Sequence, residues 1–172
     1  MEEVIAKYPN TPFILAHFYF VSDNYEKACS LFENNPNIYF DLCPGGEMFL
    51  NFSKEPQKWK DFFIRYRHRL IMGSDHYAAG YGVNRYNLAR NFLEGTEPMV
   101  YMDEPVIPIN LPTDVLEDIY YKNIKRLIGK EPKPINRKLA YDHCCYIRDN
   151  FMEQLTETQK QNLEIITEHF KD

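Results

Sequence analysis

Two rhythms of apolar and polar positions alternate along the chain. Glu2 to Tyr8 carries a helical pattern stopped by Pro9 and Asn10, and Pro12-Phe13-Ile14-Leu15-Ala16-His17 follows as an apolar run closed by a histidine. Such a run is what a strand buried on both faces looks like. Ser22 and Asp23 are good helix N-caps, Glu26 sits three residues beyond Asp23, and Tyr25, Cys29 and Phe32 form a helical stripe, so a helix is expected to end near Asn35-Pro36. Asn37 to Cys43 reads as a second strand, and Pro44-Gly45-Gly46 as a turn. A second helix is expected with Pro56 in its first turn and Trp59, Phe62, Phe63 and Tyr66 on one face, a core stripe. Leu70 to Asp75 is the third strand.

Strand, helix, strand, helix, strand with short links is the pattern of parallel βαβ units with helices outside a sheet. Chemistry in such folds gathers at the C-terminal ends of strands, where this chain carries His17, Asp41 and Asp75. From Asp75 to Asn110 a long segment holds Gly80, Gly82 and a short helix near Tyr86 to Leu93, and reads as an active-site loop. Thr113 then starts an amphipathic helix with Leu116, Ile119, Tyr120, Asn123 and Leu127 on one face, closed by Gly129. Asn123 on that face is expected to be a buried amide bonding loop backbone. Beyond the stiff Glu131-Pro132-Lys133-Pro134 link come two helical pieces, Tyr141 to Leu155 and Thr158 to Phe170, with Thr156 as the cap between them. The expected division is a domain over 1–129 and a helical extension over 130–172.

Composition narrows the function classes. The chain has 172 residues, 44% hydrophobic and 26% charged, as in a globular protein, and its 15% aromatic content is high. A formal charge of −5 leaves no electrostatic footprint for nucleic acid. The one basic cluster, Arg65 to Arg69, reads as a solvated helix end rather than a phosphate site. No stretch is apolar enough for a membrane span, and Met1-Glu2-Glu3-Val4-Ile5 is acidic where a signal peptide would be basic, so a cytoplasmic location is expected. Cys29, Cys43, Cys144 and Cys145 lack disulfide-framework spacing and read as free thiols. His143-Cys144-Cys145 reads as helix packing rather than a zinc site, because vicinal cysteines rarely both reach one ion.

Taken in order, Ile14-Leu15-Ala16-His17, Asn37 to Leu42 with Asp41, Gly73-Ser74-Asp75 and Asn123-Ile124-Lys125-Arg126-Leu127-Ile128-Gly129 resemble the last three strands and the closing helix of the amidohydrolase-2 family of metal-dependent hydrolases. The resemblance spans about residues 1 to 129. It implies the C-terminal part of a TIM (β/α)8 barrel, about three parallel strands with flanking helices, followed by the helical extension. It implies that His17 binds a metal or orients the attacked group, that Asp75 ligates the metal and handles the proton of its water, and that Asp41 neighbours the site. The implied cofactor is a divalent metal, zinc first, its ligands completed by residues outside this chain, since no His-x-His pair occurs among the five histidines. Relatives usually carry glycines where this chain has Phe18-Tyr19-Phe20, which implies a bulkier mouth at that strand.

The expected function is therefore hydrolysis, or a related nonoxidative decarboxylation, of a small polar or carboxylated molecule, with the chain inactive alone. The alternative is a non-catalytic half-barrel that oligomerises or binds, pairing with a copy of itself or with a complementary N-terminal half, because parallel sheets with open edges need covering. His76, beside Asp75, reads as a loop histidine.

Overall fold

Three short strands with helices between them build a parallel sheet, and every connection follows the βαβ pattern. The computed structural model describes residues 2–43, 45–73, 82–131 and 133–171, with the side chains of 82–85 left aside. The chain divides into two compact units, Met1–Lys130 and Glu131–Asp172.

In the first unit, helix α1 (Glu2–Lys7) leads to β1 (Phe13–Leu15), α2 (Tyr25–Asn34), β2 (Ile38–Asp41), α3 (Gly46–Ser53), α4 (Pro56–Arg65) and β3 (Leu70–Ile71). Sheet order is β1-β2-β3, parallel throughout, with Ile14 opposite Tyr39 and Asp41 opposite Ile71. Among the described residues no strand pairs with the outer side of β1. Helix α2 is capped by Asn24, whose side chain accepts from Lys27 N, in place of Ser22 or Asp23. The connection into β1 is held by Asn37, whose amide donates to the carbonyls of Tyr8 and Thr11, both at 3.0 Å.

Alternation along β2 sets the core. Ile38 and Phe40 are fully buried, whereas Tyr39 and Asp41, on the other face, are half-buried. The buried face meets an aromatic cluster in which Phe18, Phe32, Phe40, Phe52, Trp59, Phe62 and Phe63 pack mostly edge to face or tilted, with Phe18 and Phe63 stacked. The stripe expected on α4 is that core: Trp59, Phe62, Phe63 and Tyr66 are all buried.

Beyond β3 come α5 (Gly82–Glu94), an antiparallel hairpin of β4 (Met99–Tyr101) and β5 (Glu104–Val106), and a closing helix in three parts: α6 (Thr113–Glu117), a π-helical turn (Asp118–Lys122) and α7 (Asn123–Ile128). The hairpin turns on Met102 and Asp103, both left-handed at φ 52° and 64°, as a two-residue turn matched to strand twist requires. The long segment thus holds the helix expected near Tyr86 to Leu93 and, beyond that expectation, a hairpin. Ser53 ties the hairpin to α3, its hydroxyl donating to Phe49 O at 2.7 Å and accepting from Ile107 N at 2.8 Å.

In the π turn the Asn123 amide donates to Asp118 O, five residues back, and the Ile119 carbonyl accepts from Met72 N at 2.9 Å. The closing helix thereby continues the hydrogen bonding of β3 beyond Ile71. Asn123 is 1% exposed, and its amide donates to Arg67 O at 2.7 Å and Leu70 O at 2.6 Å, while Arg126 donates to its oxygen. The buried-amide role read from the sequence holds. Gly129 ends α7 at φ 92°, a conformation that suits glycine.

The basic cluster is exposed at Arg65 and His68, as a solvated end would be, but half-buried at Arg67 and Arg69. Arg65 pairs with Glu33 at 2.9 Å, Arg69 donates to the carbonyls of Phe32 and Asn35, and Arg67 reaches Asp118 at 2.5 Å and Asp114 at 2.6 Å. Its guanidinium bond holds the Asp114 carboxyl below the usual range. All three arginines are occupied as tethers at the N-terminal end of β3.

The second unit contains α8 (Arg137–Phe151) and α9 (Glu157–His169), packed on each other. Asn136 caps α8, and Thr156 with Gln159 forms a capping box on α9, the cap expected there. Cys144 and Leu163 are its buried apolar side chains, so Cys144 packs in the helix pair. Among the described residues no helix is long and apolar enough to cross a membrane.

Candidate functional site

The C-terminal ends of the three strands bring together residues far apart in sequence. His17 lies two residues past the last residue of β1, half-buried, in a tight turn (Ala16–Phe20) rather than at the end of a longer strand. Its Nδ1 is 3.4 Å from the Cys43 carbonyl oxygen, just beyond β2. A carbonyl only accepts, so Nδ1 is the donor in this contact. Orientation through Nδ1–H to a backbone carbonyl is the usual support of a metal-binding or polarising imidazole.

Asp41 ends β2 facing Gly73. Its Oδ1 accepts from Cys43 N at 2.5 Å and its Oδ2 from Cys43 Sγ at 3.1 Å, a local turn that pins the carboxylate over its own strand end. A Cβ on Gly73 would come within 2.7 Å of Cys43 Sγ and 2.9 Å of Asp41 Oδ2. Glycine is needed there because strand ends two and three approach so closely. Cys43, read from the sequence as a plain free thiol, therefore belongs to this cluster. Its signal was the two-residue spacing from Asp41, which puts both side chains on one face of the strand.

Asp75 and His76 lie outside the described residues, as do Ser74 and the segment to Tyr81, so the expected pairing of His17 with Asp75 has no measured geometry. Among the described residues no group of three or more His, Cys, Asp or Glu side chains is arranged to hold a metal ion. What His17 and Asp41 offer is an oriented imidazole and a fixed carboxylate on adjacent strands. These fit one flank of a divalent-cation site and are too few for the whole of it.

The turn after β1 is strained. His17, Phe18, Tyr19 and Phe20 all have φ between 52° and 54°, four consecutive left-handed residues without a glycine. Each such residue costs on the order of 1–2 kcal/mol, whereas burying one phenylalanine returns about 3 kcal/mol at most. Phe18, fully buried among Phe40, Phe52, Trp59, Phe62 and Phe63, anchors the turn without offsetting its whole cost. Strain of this kind persists where surrounding structure over-determines it and concentrates at ligand sites. The three aromatics do not crowd the strand mouth together: Phe18 turns into the core, Tyr19 packs toward Phe40, and Phe20 alone stands out, 74% exposed beside the His17 ring.

Across from β2, Tyr101 of the hairpin lies directly on Gly46, where an added Cβ would collide with its ring. The hairpin therefore covers the N-terminal end of α3, three residues past Cys43. No sequence pattern singled out Tyr101, because its strand is only three residues long.

No family model matches the chain, and no curated protein or solved structure matches it either.

Proposed function

We propose that the chain carries the C-terminal part of an amidohydrolase-2-type (β/α)8 barrel and supplies one side of a mononuclear divalent-metal site for hydrolysis, or nonoxidative decarboxylation, of a small polar or carboxylated molecule. His17 and Asp75 are its metal-binding and catalytic residues, and Asp41 positions the strand ends beside them. The observation that carries the reading is His17 itself: an imidazole at the C-terminal edge of a parallel sheet, its Nδ1 turned to a backbone carbonyl. The left-handed path over residues 17–20 adds support, since it is the conformation that the glycines usual at those positions would permit.

A divalent ion, when bound, supplies activation of water near neutral pH. For its part, this chain would hold the ion through His17 Nε2 and the Asp75 carboxylate. The same carboxylate would take the proton of the attacking water.

Zinc titration of the chain, followed by calorimetry, is expected to show weak saturable binding. Asp75→Asn should weaken it by about tenfold or more, and His17→Ala should abolish the response of the site. Binding indifferent to both substitutions overturns the reading.

One observation favours the second reading, a half-barrel that pairs with another copy of itself. The outer side of β1 is unpaired among the described residues, and Ile14 on that strand is 45% exposed. Light scattering should then give a mass of two chains or more, whereas a stable monomer near 20.5 kDa refutes self-pairing.

A further inference from the structure

Among the described residues Phe20 is the most exposed large hydrophobic side chain of the first unit, at 74%, yet it is two residues from Phe18, the centre of the core. Nothing about packing asks for an aromatic there. The backbone at Phe20 has φ 54°, a conformation glycine would adopt without strain. A phenylalanine at such a position gives up solubility and backbone ease together. Its ring lies with centroid 5.4 Å from the His17 ring and 36° from parallel to it, at the strand ends where α/β sheets take ligands. Behind the pair stand the Cys43 carbonyl and the pinned Asp41 carboxylate.

We propose that Phe20 is the specificity-determining wall of this site, and that with His17 it selects a ligand bearing a flat conjugated ring over one of equal size that is puckered. The proposal deepens the site reading above and rests on its placement of the ligand at the strand ends, but does not depend on a metal. An aromatic face offers a planar π-system an offset-stacked contact that a saturated ring cannot return. The left-handed turn is what aims that face outward, because the same turn points Phe18 inward.

The test compares benzoate with cyclohexanecarboxylate, which share a carboxylate and differ in ring shape, by NMR titration of the full chain in buffer containing a chelator. Benzoate is expected to bind about fivefold tighter, with shifts at Phe20 and His17. Phe20→Tyr should retain that preference, and Phe20→Leu should erase it. Phe20→Gly should erase it too while raising the thermal midpoint, since it relieves a left-handed residue and loses little burial; a loss of discrimination in that variant cannot come from unfolding. Equal affinity for the two acids in the native chain, or a preference that survives Phe20→Leu, overturns the proposal. So does a Phe20→Gly variant whose only change is its oligomeric state, which would mark Phe20 as a subunit contact. Because the chelator removes metal from every arm, a failure of the zinc titration leaves this result standing, and the reverse.

Discussion

Phe18→Ala is expected to lower the unfolding free energy by about 3–5 kcal/mol, the range for a fully buried phenylalanine truncated in a core that cannot collapse around the void. The residue is fully buried and its ring meets those of Phe40, Phe52, Trp59, Phe62 and Phe63, so the void would open among five rigid rings held by a strand and two helices. Rings relax poorly into a cavity because each is pinned by the others. The substitution also leaves the strained turn at residues 16–20 without its anchor, which should free the backbone around His17. Urea unfolding measures the first effect as a fall in midpoint at constant slope, and line broadening of the His17 imidazole reports the second. A loss near 1 kcal/mol would mean that the turn, rather than the core, dictates where Phe18 sits. Against total stabilities of about 5–15 kcal/mol for domains of this kind, the expected loss is a large fraction.

Asn123→Leu is expected to cost about 3 kcal/mol, although leucine fills nearly the same space. The side-chain amide satisfies two carbonyls, those of Arg67 and Leu70, which flank the start of β3, and its oxygen receives Arg126. Leucine leaves both carbonyls without that donor at a position 1% exposed, and a stranded buried acceptor costs about 1–3 kcal/mol. Denaturant unfolding gives the magnitude, and native-state hydrogen exchange should show the opening localised to β3 and α7. A cost under 1 kcal/mol would show that water reaches the two carbonyls.

Much of the α/β organisation was legible because it rests on periodicity. The apolar run before His17, the β-formers from Asn37 to Cys43 and the stripe Trp59, Phe62, Phe63, Tyr66 each predict an element that forms, and the sheet is parallel as the order of elements requires. What escaped was local geometry that leaves the hydrophobic pattern unchanged. The strand before His17 stops at Leu15, because the chain turns left-handed through residues whose apolar character reads as more strand. The β4–β5 hairpin was hidden because Met102-Asp103 stands where Asn-Gly would announce the turn. Helix α3, eight residues long, was missed between the turn read at Pro44-Gly45-Gly46 and the helix expected from Pro56. At the candidate site, His17 and Asp41 were legible as polar residues closing apolar runs. Cys43 was signalled only by its two-residue spacing from Asp41, and Tyr101 and Phe20 not at all, since their positions follow from a hairpin and a strained loop that no spacing rule encodes.

The π turn in the closing helix carries a constraint on chain length. A π turn is an α-helix with one residue too many, and here the surplus residue tips the Ile119 carbonyl out of the helical ladder toward Met72. Deleting one residue between Asp118 and Lys122 would let the helix heal into a regular α-helix with Asn123 still beneath β3. The Ile119 carbonyl would then return to its own ladder, leaving Met72 N–H, the link leading into Gly73, without its acceptor. Substitutions in this stretch can be judged by side chain, but the number of residues in it is fixed by a hydrogen bond made elsewhere.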